Sequence, residues 1–136
     1  MDISTLLAKI EKAYYNERNA AALYSQLLAL ATDYVSTEAL VEARRDKREH
    51  ALKIGKLFKE LSGQDLTDLQ ASVPKYTSFR DGLRKVVQAA KEALDFNQEI
   101  IKLATIIQVD DLFKKIGEDE ITHYIKFQAL MRFMHY

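Results

Sequence analysis

Toward its end the chain carries an apolar stripe that steps by three and four residues through Phe113, Ile116, Glu120, His123, Phe127, Leu130 and Met134. Residues at that spacing share one face of an α-helix, so the segment folds as a helix with one buried side. Only Glu120 and His123 on the stripe are polar, and they sit together at its middle. Burying a charge without a partner is costly, so whatever packs here must answer a carboxylate and an imidazole at one depth. An earlier stripe, Leu40, Ala43, Lys47, His50, Ile54, Leu57 and Leu61, has the same form, with a lysine where the glutamate would match. A third, Ile10, Tyr14, Glu17, Ala21, Tyr24, Leu28 and Ala31, is interrupted by Glu17. Three helices therefore bring polar groups to one level of a shared core.

One proline and four glycines, with many strong helix formers, specify an all-α chain. The periodicity predicts helices over about 4–33, 37–61, 78–107 and 110–134. Ser36 or Thr37 is the expected cap of the second, and Asp110 or Asp111 of the fourth, while Ser62-Gly63 reads as a helix stop. Residues 64–77 hold the only proline, Pro74, and read as a crossover with one short turn at most. Short, long and short connections make two antiparallel hairpins joined by a long crossover, a four-helix bundle in a single domain over 1–136. Lys plus Arg equals Asp plus Glu at 20 each, which removes the electrostatic footprint of a nucleic-acid partner. No apolar run is long enough for a membrane span and no signal-peptide pattern opens the chain, so a cytoplasmic protein is expected.

Carboxylates and imidazoles on facing helices are how bundles hold iron or manganese, with Glu-x-x-His as the recurring unit. The candidate ligands are Glu17, His50, Glu120 and His123, with one further residue from the third helix. The hairpins repeat weakly: Glu17 precedes His50 by nearly the interval at which Glu92 precedes His123, which ranks Glu92 first. The most apolar stripe of that helix, Val86, Ala90, Ala93, Asn97, Ile100, Ala104 and Ile107, instead puts Asn97 at the polar interruption, and Glu99 is a third option. Asp46, four residues before His50, could supply a second-helix carboxylate. Three carboxylates, Glu17, Glu92 and Glu120, against the ammonium of Lys47 leave two negative charges, enough for one divalent ion rather than two. If Glu92 faces elsewhere, Lys47 with one protonated histidine neutralises Glu17 and Glu120 without metal.

Glu17-Arg-Asn-Ala20 followed by Tyr24, Arg48-Glu49-His50-Ala51 with the run to Leu61-Ser62-Gly63, and Leu112-Phe113 through Glu118-Asp119-Glu120 to His123 carry a family likeness. Over nearly its whole length the chain resembles the rubrerythrin branch of the ferritin-like superfamily. That resemblance implies a carboxylate-bridged di-iron bundle handling peroxide, oxygen or iron, an oxidoreductase of the peroxidase or ferroxidase kind. The family's acidic pair on the third helix would be Glu92-x-x-Asp95. The sequence departs from the pattern at Lys47, which stands where the family has its second-helix bridging glutamate. With no cysteine there is no rubredoxin-like iron site, so an active protein needs an external electron donor. The contrasting expectation is a metal-free bundle acting by assembly, with Lys47 in the metal's place.

Other features have plainer readings. Tyr24 has the spacing from Glu17 for a role beside the site, whereas Tyr14 and Tyr15 read as packing. Gly55 and Gly117 lie inside helices, where close helix packing is the expected reason for them. The run from Glu42 to Glu49 alternates charge at helical spacing and reads as a solvated face apart from Lys47. His135 carries no signal, and the apolar Phe133, Met134 and Tyr136 would cover the core end or a partner. Apolar residues on more than one side of the third helix suggest a homodimer.

Overall fold

A computed structural model describes residues 3–133 as four helices: α1 (Ile3–Leu28), α2 (Tyr34–Ser62), α3 (Phe79–Leu103) and α4 (Ile107–Phe133). Met134, His135 and Tyr136 lie outside the described residues. α1 packs against α2 and α3, and α4 against α3 and α2, so the helices stand at the corners of a square with α1/α4 and α2/α3 as diagonals. Lys9 near the start of α1 reaches Glu99 near the end of α3 at 3.4 Å, and Glu42 early in α2 meets Lys126 late in α4 at 2.9 Å. Neighbours are therefore antiparallel and diagonal partners parallel, an up-down-down-up bundle of the expected class.

The helix ends depart from the sequence reading. The α-helical pattern of α1 stops at Leu28, where the amide of Leu30 turns back to the Leu27 carbonyl at 3.0 Å. Asp33, expected as the last residue of that helix, caps α2 instead, its carboxylate accepting from the Ser36 amide at 2.8 Å. Ser36 itself is buried. α2 ends as expected at Gly63, whose φ of 76° is the left-handed conformation and whose amide donates to the Lys59 carbonyl. α4 begins at Ile107, before the expected aspartate cap, because Val109 is fully buried and draws the first turn into the core. Ile107, placed on the α3 stripe by periodicity, is exposed.

The crossover climbs the outer face of α1. Tyr15 donates to the Thr67 carbonyl at 2.7 Å, Arg18 pairs with Asp68 at 2.9 Å, the Ser72 amide donates to Asn19 at 2.8 Å, and Tyr76 donates to Gln26 at 3.0 Å. It contains no helical turn. At the far end, Gly82 lets α3 close on α1, since a Cβ there would sit 2.3 Å from Leu27 Cδ2. Gly55 lies against Tyr14, at 3.4 Å from a built Cβ, in keeping with close packing, but a Cβ at Gly117 would meet nothing within 4 Å. Packing therefore does not explain Gly117. Gly117→Ala should raise stability by about 0.5–1 kcal/mol through helix propensity alone, read as a higher urea midpoint at unchanged slope.

The core is divided. One apolar cluster gathers Leu23, Tyr24, Leu27, Leu40, Leu83, Val86 and Phe127, and another Leu6, Ile10, Ile54, Leu57, Ile100, Phe113 and Ile116. Between them lies a layer of buried polar side chains from all four helices. Among the described residues α3 exposes no large apolar side chain; the exposed ones on helices include Val41 and Leu52 of α2 and Ile121 and Ile125 of α4. Among the described residues no helix is long and apolar enough to cross a membrane.

Candidate metal centre

The polar layer consists of Glu17 from α1, Lys47 and His50 from α2, Asn97 from α3, and Glu120 and His123 from α4, each no more than 5 % exposed. Their placement follows from the stripes: each occupies a core-facing position at mid-helix, so the packing that buries the leucines above and below buries these too. Lys47 is the hub. Its Nζ lies 2.8 Å from Glu17 Oε2 and also contacts Glu120 Oε1, so one ammonium joins carboxylates from diagonal helices.

The histidines are tied across α2 and α4 in a reciprocal pattern. His50 Nε2–H donates to Asp119 Oδ2 at 2.8 Å, and His123 Nε2–H donates to Asp46 Oδ2 at 2.7 Å. Each aspartate stands four residues before the histidine of its own helix and serves the histidine of the other. Asp46 is thus a histidine partner rather than a substitute ligand, and Asp119 has a part in the site that the stripes do not reveal. The shared frame Asp-x-x-x-His, at 46–50 and 119–123, is the signal that could have found both. With Nε2 engaged, His50 presents Nδ1 to the centre, 3.4 Å from Glu17 Oε1 and without a hydrogen-bond partner.

The electrostatics are those of two buried carboxylates sharing one cation. Burial alone would raise the pKa of Glu17, but Lys47 and the His50 ring outweigh it and hold Glu17 at about 2. Burial pushes Glu120 up to about 7, because Lys47 only partly offsets it and the ionised Glu17 adds repulsion. Burial disfavours the charged form of Lys47, yet the two carboxylates overcome that and keep it firmly protonated. His50 is treated in the same way: burial works against its charge, and Glu17 with Asp119 raise its pKa nonetheless. Tyr24, buried against Phe127 with ring centroids 5.5 Å apart, has its hydroxyl pKa raised by burial, and both carboxylates act on it as well. It lies beside the cluster, as its spacing from Glu17 anticipates.

The structure does not bring Glu92 into this group. Glu92 is on the exposed side of α3, where Gln88 donates to it at 3.4 Å, and Glu99 faces outward to Lys9. Asn97 takes the inward position on α3, and its Nδ2 is buried without a partner. The fit of a metal can be tested on these donors. Glu17, His50 and Glu120 each offer an atom lying within 4.8 Å of the others, so they can converge on one ion, and the unpartnered His50 Nδ1 and Glu120 Oε2 are suited to receive it. A second ion would lack a bridging carboxylate, since α2 supplies Lys47 and α3 an amide. The donor set fits one cation and not a dinuclear centre.

The bundle fold coincides with that of solved proteins. A two-domain protein of Anabaena variabilis with DJ-1/ThiJ/PfpI-like and ferritin-like domains superposes with a TM-score of 0.81 at 13% identity, covering 98% of this chain and 38% of that one. A ferritin-like, diiron-carboxylate protein of Bacillus anthracis gives 0.84 at 18% identity over 96% and 99% of the two chains. The fold is ferritin-like. CopM in its Cu(II)-bound form also matches, with a TM-score of 0.83 at 10% identity over 96% and 97%. No protein-family model matches the sequence, and no curated protein does either. Within the ferritin-like fold, the buried Glu17, His50 and Glu120 make this a candidate metal-binding bundle with one lysine set among its ligands.

Proposed function

We propose that this ferritin-like bundle binds a single divalent cation on Glu17, His50 and Glu120, and that Lys47 is the internal counter-ion whose place the cation takes. The carrying observation is the convergence of these three donors within 4.8 Å around the Lys47 ammonium. The Asp119–His50 and Asp46–His123 hydrogen bonds support it, because a carboxylate behind an imidazole fixes the ring and raises its basicity as a ligand. The bundle holds the two carboxylates on diagonally opposed helices, with Lys47 between them. The resemblance to rubrerythrins makes iron the first metal to test, and iron would supply the electron and the open coordination positions that peroxide or oxygen chemistry needs. Electrons would come from a separate donor, and a homodimer would use the exposed apolar residues of α2 and α4 rather than α3.

A second reading has its own observation. Lys47 already contacts both carboxylates, and with one protonated histidine beside it the layer is charge-compensated, so a metal-free centre that fixes helix register needs nothing more. Elemental mass spectrometry separates the two on tag-free protein, loaded anaerobically with iron(II) and then with manganese(II) or zinc(II). About one metal per chain, lost on Glu120→Gln, is the expected result. No bound metal under any loading would overturn the cation-binding reading and leave the ionic centre.

A further inference from the structure

Glu17, Lys47 and Glu120 are buried, so a cation that takes the lysine's place has to pass between helices to reach them. Two faces of the bundle are poorly suited to that passage. At the level of the centre α2 and α4 are tied together by the His50–Asp119 and His123–Asp46 hydrogen bonds. The groove between α1 and α2 is lined by Arg18 and Arg48, which repel a cation, and it reaches none of the centre's residues.

The face between α1 and α3 differs. A cleft of about 270 Å³ lies there, and its lining runs from solvent to the centre. Lys12 and Glu92 are exposed, Asn16 and Ala93 are half-buried, and Glu17 with Lys47 forms the buried end. Of the two carboxylates on Lys47, Glu17 keeps 6 % of its side-chain surface and Glu120 only 1 %. A single water needs roughly 10–15 Å³ of cavity, so a file of waters fits. At the outer end the Lys12 ammonium lies over the Phe96 ring, 5.0 Å from its centroid, and Glu92 accepts only a 3.4 Å bond from Gln88. Glu92 can therefore meet an ion without giving up a strong partner. A carboxylate at such a mouth raises the local concentration of cations and with it their rate of entry.

We infer that the cleft between α1 and α3 is the route by which a divalent cation enters the centre, Glu92 being the first carboxylate it meets and Glu17 the last. This rests on the cation-binding reading of the centre and adds the way in. Glu92 acts before ligation rather than in it, so it sets the rate of loading and not the amount bound.

The test is the rate at which metal-free protein takes up manganese(II), followed as loss of the free-ion signal in electron paramagnetic resonance, with the final content measured separately. Glu92→Gln should load about three- to tenfold more slowly at low salt and reach the wild-type content, and high salt should shrink the difference. Lys12→Glu should load faster by a similar factor. Glu118→Gln, the same loss of charge on an exposed part of α4, should change nothing. Ala93→Leu narrows the cleft, so entry waits on helix motion and should slow about tenfold or more. Release of bound manganese to a chelator should slow in step, because a constriction acts in both directions. Wild-type rates of loading and release in folded Ala93→Leu, or equal slowing by Glu92→Gln and Glu118→Gln, would overturn the route. A lower final content in Glu92→Gln would make Glu92 a ligand and overturn its place at the mouth. No manganese on the wild type at equilibrium would instead overturn the reading of the centre, and the route with it.

Discussion

Lys47→Met is expected to destabilise the chain by about 3–5 kcal/mol in the presence of a chelator. The wild-type ammonium is the one cation held between Glu17 and Glu120, and removing one member of a buried ionic group leaves the rest uncompensated. A domain of this size has only about 5–15 kcal/mol in all, so the variant would sit near the edge of folding. The penalty belongs to the stranded charges and not to a net benefit of the cluster. The combination Glu17→Leu, Lys47→Met and Glu120→Leu should therefore recover to within about 1 kcal/mol of wild type or exceed it, as buried ionic networks replaced by apolar residues commonly do. Urea unfolding of the wild type and both variants reads the three values. A loss under about 1 kcal/mol for Lys47→Met would mean that the carboxylates are neutralised by their own protons and that Lys47 is not the counter-ion.

The parts of this centre that were legible in the sequence are those set by one helix at a time. Glu17, Lys47, His50, Glu120 and His123 interrupt strict apolar stripes, and a stripe is a property of a helix before it finds a neighbour. All five are buried at one level of the bundle. On α3 two signals conflicted, and the local one matched the structure. Periodicity pointed to Asn97, which is buried, while the hairpin repeat and the family pattern pointed to Glu92, which is exposed. The repeat is right about level and wrong about face: the connections 29–33 and 104–106 differ by the same two residues as the intervals, so Glu92 stands as far from its helix end as Glu17, but α3 turns another side to the core and leaves Glu92 exposed.

What the stripes could not show was pairing between helices. Asp46 and Asp119 flank the buried face, and their partners are histidines of the opposite helix. Only the packing of α2 against α4 makes that exchange. Helix ends were obscured for a similar reason. The apolar pattern carries through Ala31, yet the Asp33 carboxylate is better used satisfying the Ser36 amide at the start of α2.

Lys47→Glu should turn the chain into a metal-dependent fold. The substitution removes the cation and adds a third carboxylate beside Glu17 and Glu120, so without metal the layer holds three buried acids and little to offset them. The chelated variant should be less stable than Lys47→Met, or unfolded. The same change supplies the carboxylate that α2 lacks, and with Glu17, Glu120, His50 and His123 it raises the donor count toward that of a two-ion centre. Metal that binds only the folded chain stabilises it by about 4 kcal/mol at a thousandfold excess over Kd, a rise in thermal midpoint on the order of 10 °C. The expected result is a chelator-unfolded chain that manganese(II) or iron(II) restores, with metal content above the wild-type value. If metal neither raises the midpoint nor remains bound, the helices do not hold Glu17, His50 and Glu120 as ligands even when the lysine is gone. The layer is then a register-fixing ionic cluster with no coordination chemistry left in it.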